Sequence, residues 1–259
     1  MPFTVSHVAA VLPAHRPLTR ARVFTAAVIG SMAPDFGLLV PGFLSRLQTH
    51  SLASLLTFSL PAGLLSYWLT LLLARPAVVE VAPDGVYLRL RAQRPASILR
   101  LHDWLAAAAA ILFGAITHLV WDGFTHEDAR GVRMFPMLED YGPEMAGHPL
   151  HLYRWLQYGS SLVGLAAVLF ALLLWLRHAP APAAPPARRL LPAERAVWMF
   201  LYLLPPLAGM ARVIAHPPAG LHSAFASGFG IGWIAIAGMR GCVVSLLLVS
   251  LLIRARLSL

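Results

Sequence analysis

The residues with the clearest chemical potential lie in Ile116-Thr117-His118-Leu119-Val120-Trp121-Asp122-Gly123-Phe124-Thr125-His126, where a long apolar run ends. His118 and Asp122 are four residues apart, so on a helix they stack one turn above the other on a single face. An imidazole and a carboxylate so placed can grip one divalent metal ion, and His126 continues the four-residue step. Gly123 is expected to loosen the helix and put His126 on the turn that follows. The spacing alone also suits a membrane helix ending in interfacial polar residues. The argument therefore turns on where the other histidines and acids fall.

Asp35 follows Pro34 in Gly30-Ser31-Met32-Ala33-Pro34-Asp35, and His50 comes fifteen residues later. Two imidazoles and two carboxylates (Asp35, His50, His118, Asp122) fit zinc or another borderline divalent ion. The absence of thiolates argues against a purely structural zinc. His7 could bind a second ion across a shared carboxylate, the two-metal arrangement of phosphoesterases. Read singly, Asp35 is a cap after a helix-breaking proline, and His7 and His50 are interfacial polar residues. Read jointly, ionisable groups gathered beside apolar runs default to a functional hypothesis. Asp122 itself, or Glu127 and Asp128 just beyond the motif, could take a proton.

The elements that must position these residues follow from composition. The 259-residue chain is 58% hydrophobic and only 12% charged, whereas a soluble domain carries about 25% charged residues. Apolar stretches reach the ~20 residues needed to cross the hydrocarbon core, so the expected class is an all-α polytopic transmembrane bundle forming a single membrane domain. Spans are expected at Leu52–Ala74, Trp104–Trp121, Trp155–Leu176, Ala196–Ala215 (kinked at Pro205-Pro206) and within Ser223–Ile253. The basic residues ahead of Val23–Ala33 resemble a signal peptide, but no clear small-x-small site precedes Asp35. Val23–Phe43 is read instead as a short helix broken at Pro34, interfacial or re-entrant, with a full span as the competitor. Val78–Arg91 reads as a small hairpin turning at Pro83-Asp84-Gly85. Residues 177–195, rich in Pro, Ala and Arg, read as an extended linker before spans four and five.

All twenty basic residues are arginines, and they set the orientation. Residues 75–100 hold five arginines and 177–195 hold four, while 122–154 hold six acids and three arginines. By the positive-inside rule the first two connections and the C-terminus are cytoplasmic, and 122–154 is outside. His50, His118 and His126 then fall on the outer side. The arginines sit in short loops and form no single basic patch, which argues against a nucleic-acid partner. Cys242 is the only cysteine, so neither an internal disulfide nor a cysteine-zinc site is possible.

At these residues the chain resembles a known family. Met1-Pro2-Phe3-Thr4-Val5-Ser6-His7, Ile29 to Asp35, His50-Ser51, the His118 motif and Leu152-Tyr153-Arg154-Trp155-Leu156-Gln157-Tyr158-Gly159-Ser160-Ser161 look like the bacterial membrane family catalogued as domain of unknown function 4184. The order His, Pro-Asp, His-Ser, His-x-x-x-Asp is also similar to predicted inner-membrane metal-dependent hydrolases, a group thought to echo zinc-dependent phospholipase C. By that resemblance Asp35, His50, His118 and Asp122 form the principal metal site, with His7 in a second. The phospholipase pattern ends in a further His…His-x-x-x-Glu set; His148-x-x-His151 is the nearest substitute here and has no following Glu. The expectation is thus one or two ions, zinc by resemblance, in a hydrolase acting on an ester or phosphoester of a lipid or lipid-linked substrate at the outer face of the bacterial inner membrane. The alternative is a non-enzymatic transport component or assembly factor with a structural ion or none.

Overall fold

The structure is a computed structural model, and it describes residues 3–40, 42, 44–93, 100–145, 147–180, 190–217 and 230–257. Among the described residues, five helices are long and apolar enough to cross a membrane: α4 (Leu55–Val81), α6 (Leu101–Thr125), α8 (Leu152–His178), α9 (Pro192–Ala215) and α10 (Gly230–Leu257). With α1 (His15–Arg20), α2 (Phe24–Met32), α3 (Arg46–Thr49), α5 (Asp84–Ala92) and α7 (Arg130–Met134), they make the protein an all-α polytopic membrane protein. The apolar helix Phe24–Leu39 is shorter than these five. Its α-helical part gives way at Pro34 to a tighter 3-10 turn over Ala33–Leu39, because proline cannot donate the backbone bond that α-helix continuation requires.

The chain forms two compact units, the first comprising residues 1–67, 96–171 and 219–232. Its packing is built on small residues. Ala26, Ala27, Ile29 and Gly30 of α2 are buried, as are Ala107, Ala110, Ile111, Gly114 and Ala115 of α6. A Cβ on Gly30 would lie 2.2 Å from the Ile111 carbonyl oxygen, and one on Gly114 would lie 2.2 Å from that of Ala27. The two backbones therefore touch, as helices in lipid must when dispersion and not water exclusion holds them together. Gly63 of α4 meets the Ile111 side chain, and Gly164 of α8 meets Ser6 in the N-terminal 3-10 helix Thr4–Ala14. Beyond α6, strands β1 (Tyr141–Met145) and β2 (His148–His151) pair antiparallel before α8 starts.

The second unit comprises residues 68–95, 172–218 and 233–259. Its core gathers Ala77, Val81, Leu190, Val249 and Ile253, with Trp198, Leu201 and Tyr202 against them. Here the expected 78–91 hairpin is overturned, since α4 runs to Val81 and Asp84–Ala92 is helical. The alternation that suggests a strand also spaces Tyr87 and Arg91 by four, and Arg91 donates to the Tyr87 hydroxyl. Tyr87 is fully buried against Val79 and Ala82, while Asp84 in the first turn and Arg89 and Arg91 in the last complement the helix dipole. The Pro/Ala linker falls mostly on 181–189, outside the described residues.

Candidate metal centre

Each candidate ligand reaches the site by a short local cause. His7 sits in the Thr4–Ala14 segment, buried beside Val8 and Val11. Asp35 is delivered by the 3-10 turn after Pro34. His50 closes α3, which starts with a capping box: the Ser45 hydroxyl accepts from the Gln48 amide, and the Gln48 side chain accepts from the Ser45 amide. His118 and Asp122 lie on the α6 stripe Ala110, Gly114, His118, Asp122, all buried. The face that packs on α2 is therefore the face that carries the ligands.

The geometry suits a small tetrahedral cation. His118 Nε2 lies 3.3 Å from His50 Nε2, 3.7 Å from Asp35 Oδ1 and 3.5 Å from Asp122 Oδ2. His50 Nε2 is 3.4 Å from both carboxylate oxygens. Bonds of 2.0–2.2 Å to zinc imply ligand–ligand edges of about 3.3–3.6 Å. Five of the six edges of that tetrahedron are matched to within about 0.1 Å.

Neighbouring groups fix the histidine tautomers. His118 Nδ1 is 2.7 Å from the Ser31 carbonyl, which can only accept, so Nδ1 carries the proton. The Thr49 hydroxyl gives its proton to the Arg46 carbonyl and accepts from His50 Nδ1 at 2.9 Å. Both Nε2 atoms are then bare lone pairs pointing at each other and at two carboxylate oxygens. Four such acceptors do not converge in a buried site unless a cation or a proton lies among them. Thr4 donates to Asp35 Oδ2 at 2.6 Å, leaving Oδ1 for the centre.

Unpartnered atoms point the same way. His7 Nδ1 and Nε2, Asp35 Oδ1 and Asp122 Oδ1 are buried without hydrogen-bond partners among the described residues, although buried polar groups ordinarily have them. His7 stacks on His118 with ring centroids 3.7 Å apart, and its Nε2 is 3.4 Å from Asp122 Oδ1. Asp122 can thus offer Oδ2 to the first position and Oδ1 to a second shared with His7. Two ligand groupings stand out among the described residues: His50, His118 and Asp122, and His7, Asp35 and His118.

Burial and neighbouring charges shift three of the groups around the site. Burial lowers the His7 pKa, the stacked His118 ring lowers it further, and Asp122 opposes both. Burial alone would raise the Asp35 carboxyl, but the facing His118 and His50 rings outweigh it and bring it to about 2. Burial pushes His126 down to about 3, against the pull of Asp122.

His126 has another place in this arrangement. It follows α6 on extended backbone, as the Gly123 argument expects, although the helix runs through Gly123 to Thr125. Arg154 donates to Gln157 Oε1 at 3.0 Å, which turns Gln157 Nε2 towards His126 Nε2 at 3.2 Å. With that lone pair taken, His126 Nδ1 faces the Asp122 carbonyl at 3.2 Å and Oδ2 at 3.6 Å. The geometry makes His126 a brace for Asp122, because neither ring nitrogen presents a lone pair to the centre. Glu127 and Asp128 are exposed on the following turn and are not among the converging groups. Arg46 is a contact that sequence reasoning missed: its Nη2 donates to Asp122 Oδ2 at 2.8 Å. An arginine in a polar stretch between apolar runs carries no signal of that kind; its four-residue distance from His50 is the only hint.

No curated protein and no solved structure matches this chain. Residues 1–251 match the family described as domain of unknown function (DUF4184), which spans the metal-ligand candidates and nearly the whole sequence, and the chain belongs to that family.

Proposed function

We propose that this protein is a membrane-embedded metal-dependent hydrolase, acting on an ester or phosphoester of a lipid or lipid-linked substrate at the outer face of the bacterial inner membrane. The observation that carries the reading is the convergence of His50 Nε2, His118 Nε2, Asp35 Oδ1 and Asp122 Oδ2, each 3.3–3.7 Å from its measured neighbours, with the imidazole protons held on the far side. These four residues would hold zinc, and His7 with Asp122 Oδ1 would hold a second ion. When bound, such an ion polarises the substrate's carbonyl or phosphoryl oxygen and lowers the pKa of a water towards ~7. The chain's own contribution is to keep both Nε2 atoms unprotonated, to aim one oxygen of each carboxylate inward and, where a single ion is held, to take a proton at Asp122 Oδ1 or His7 Nε2. Glu127 and Asp128, exposed beside the site, pass that proton to water. The ligand order, similar to that of predicted inner-membrane metal-dependent hydrolases, supports the same reading.

A second reading rests on the same geometry. Four protein donors can close a tetrahedron by themselves, which is the habit of structural zinc, and the protein would then be a non-enzymatic transport component or assembly factor. Metal analysis of purified protein, paired with release of headgroup or acyl product from bacterial lipid extracts, separates the two. Metal-loaded protein inert on every lipid, lipid-linked sugar and phosphodiester would favour the structural role. Protein that takes up neither zinc nor manganese would end the hydrolase and structural-zinc readings and leave a non-enzymatic protein without an ion.

A further inference from the structure

Arg46 sets a condition on what the site binds. Its Nη2 donates to Asp122 Oδ2, the oxygen placed to ligate an ion, while its Nε is buried with no hydrogen-bond partner among the described residues. The Arg46 side chain is nonetheless 33% exposed, against 4% for Asp122, so it runs from solvent to the wall of the centre. Asp122 is its one described side-chain partner, and a guanidinium presents several further N–H donors in a planar fork. With neutral histidines and one divalent ion, the charges are +2 from the ion, +1 from Arg46, and −1 each from Asp35 and Asp122, leaving +1. A second ion would leave +3. A neutral ester would leave that charge and the remaining guanidinium donors unmet.

Resting on the metal-hydrolase reading above, we infer that the substrate group at this site is a phosphoryl anion and that Arg46 is the residue that positions it. One phosphoryl oxygen would face the ion that these four residues would hold, and its neighbours would accept from the Arg46 fork that already leans on Asp122. Arginine suits that task because its planar donors match two oxygens of a phosphate at once. The phosphoryl group can belong to a lipid headgroup or to a soluble phosphate.

The test uses the full chain in dodecyl maltoside, zinc-loaded or stripped, titrated calorimetrically with inorganic phosphate and separately with dihexanoyl-phosphatidylglycerol. Loaded wild type should bind at least one of them, and stripped protein should bind at least tenfold more weakly. Arg46→Met should keep its zinc and lose at least tenfold in phosphoryl affinity, with Arg46→Lys between the two because lysine keeps the charge without the fork. Tighter binding of the lipid identifies a headgroup, and tighter binding of phosphate identifies a soluble source; either supports the inference. If Arg46→Met loses its zinc, Arg46→Lys decides: a clear loss of phosphoryl affinity supports the inference and wild-type affinity overturns it. Loaded Arg46→Met that binds like wild type, or loaded wild type that binds neither probe, overturns it alone. Wild type that takes up no metal overturns the hydrolase reading and this inference together.

Discussion

Gly30 of α2 and Gly114 of α6 lie against each other's backbones, so that a methyl group on either would sit 2.2 Å from a carbonyl oxygen of the opposite helix. That contact is upstream of the metal centre, because it brings the Ser31 carbonyl to His118 Nδ1 at 2.7 Å. The obstacle is main chain and cannot rotate away.

Gly114→Ala should therefore cost at least the ~1–3 kcal/mol of an overpacked core and weaken metal binding by parting Ser31 from His118. Exposed Gly42→Ala has open space around it, and although its φ of +70° disfavours a side chain, its metal affinity should stay unchanged. The check is zinc affinity and thermal unfolding of both variants. Equal zinc affinity in Gly114→Ala and wild type would break the link between helix contact and site.

Asp122 meets His7, Arg46, His50, His118 and His126. Asp122→Asn should lose metal and hydrolysis together, while Glu127→Gln and Asp128→Asn keep the ion and lower turnover. Zinc at a hundredfold its dissociation constant should stabilise wild type by about 2.7 kcal/mol and Asp122→Asn far less. Mass spectrometry for zinc beside a melting curve reads both, and metal-replete Asp122→Asn would remove that residue from the ligand set.

The pH dependence has a defined sign. His126 titrates near 3 in the folded chain and near 6.5 when exposed, so the unfolded chain binds its proton first as the pH falls. Metal-free protein should lose stability between roughly pH 6.5 and 3, at up to about 1.4 kcal/mol per pH unit from this group. His7, shifted in the same direction, adds to the slope. Melting curves from pH 7 to 4 should be flatter for His126→Gln than for wild type. Parallel curves would assign the slope to other groups.

Sidedness can be read with single cysteines. In a Cys242→Ser background, Cys at exposed Gln93 and Cys at exposed Glu144 should label from opposite faces of the membrane, as the arginine asymmetry predicts. Labelling of both from one face would mean that the span count between them is wrong.

Much of this was legible in the residues before any coordinate. Each of the five long helices covers most of its apolar run because hydrocarbon thickness and composition together dictate them, although the first runs on seven residues past Ala74 to Val81. The ligand stripe was readable because a four-residue step is a property of any helix. Arg46 and Gln157 were not legible in their present roles. Their contacts link residues 76 and 31 positions apart, and no local pattern reports such a distance. Gln157 is fully buried on His126, and Ser161 accepts from the Phe3 amide. The 84–92 helix was misread because burial of Tyr87 outweighs the strand-like alternation around it.

The Ser31 carbonyl reaches His118 while the Ser31 hydroxyl is spent on Val28 within its own helix. The imidazole tautomer on which the metal grip depends is thus set by main chain, which every residue type supplies. Over evolutionary drift, position 31 is free to change its side chain as long as it stays small enough for the helix seam, whereas positions 30 and 114 are not. The chemistry of this centre is inherited through helix contact more than through the identity of the neighbour that orients its central histidine.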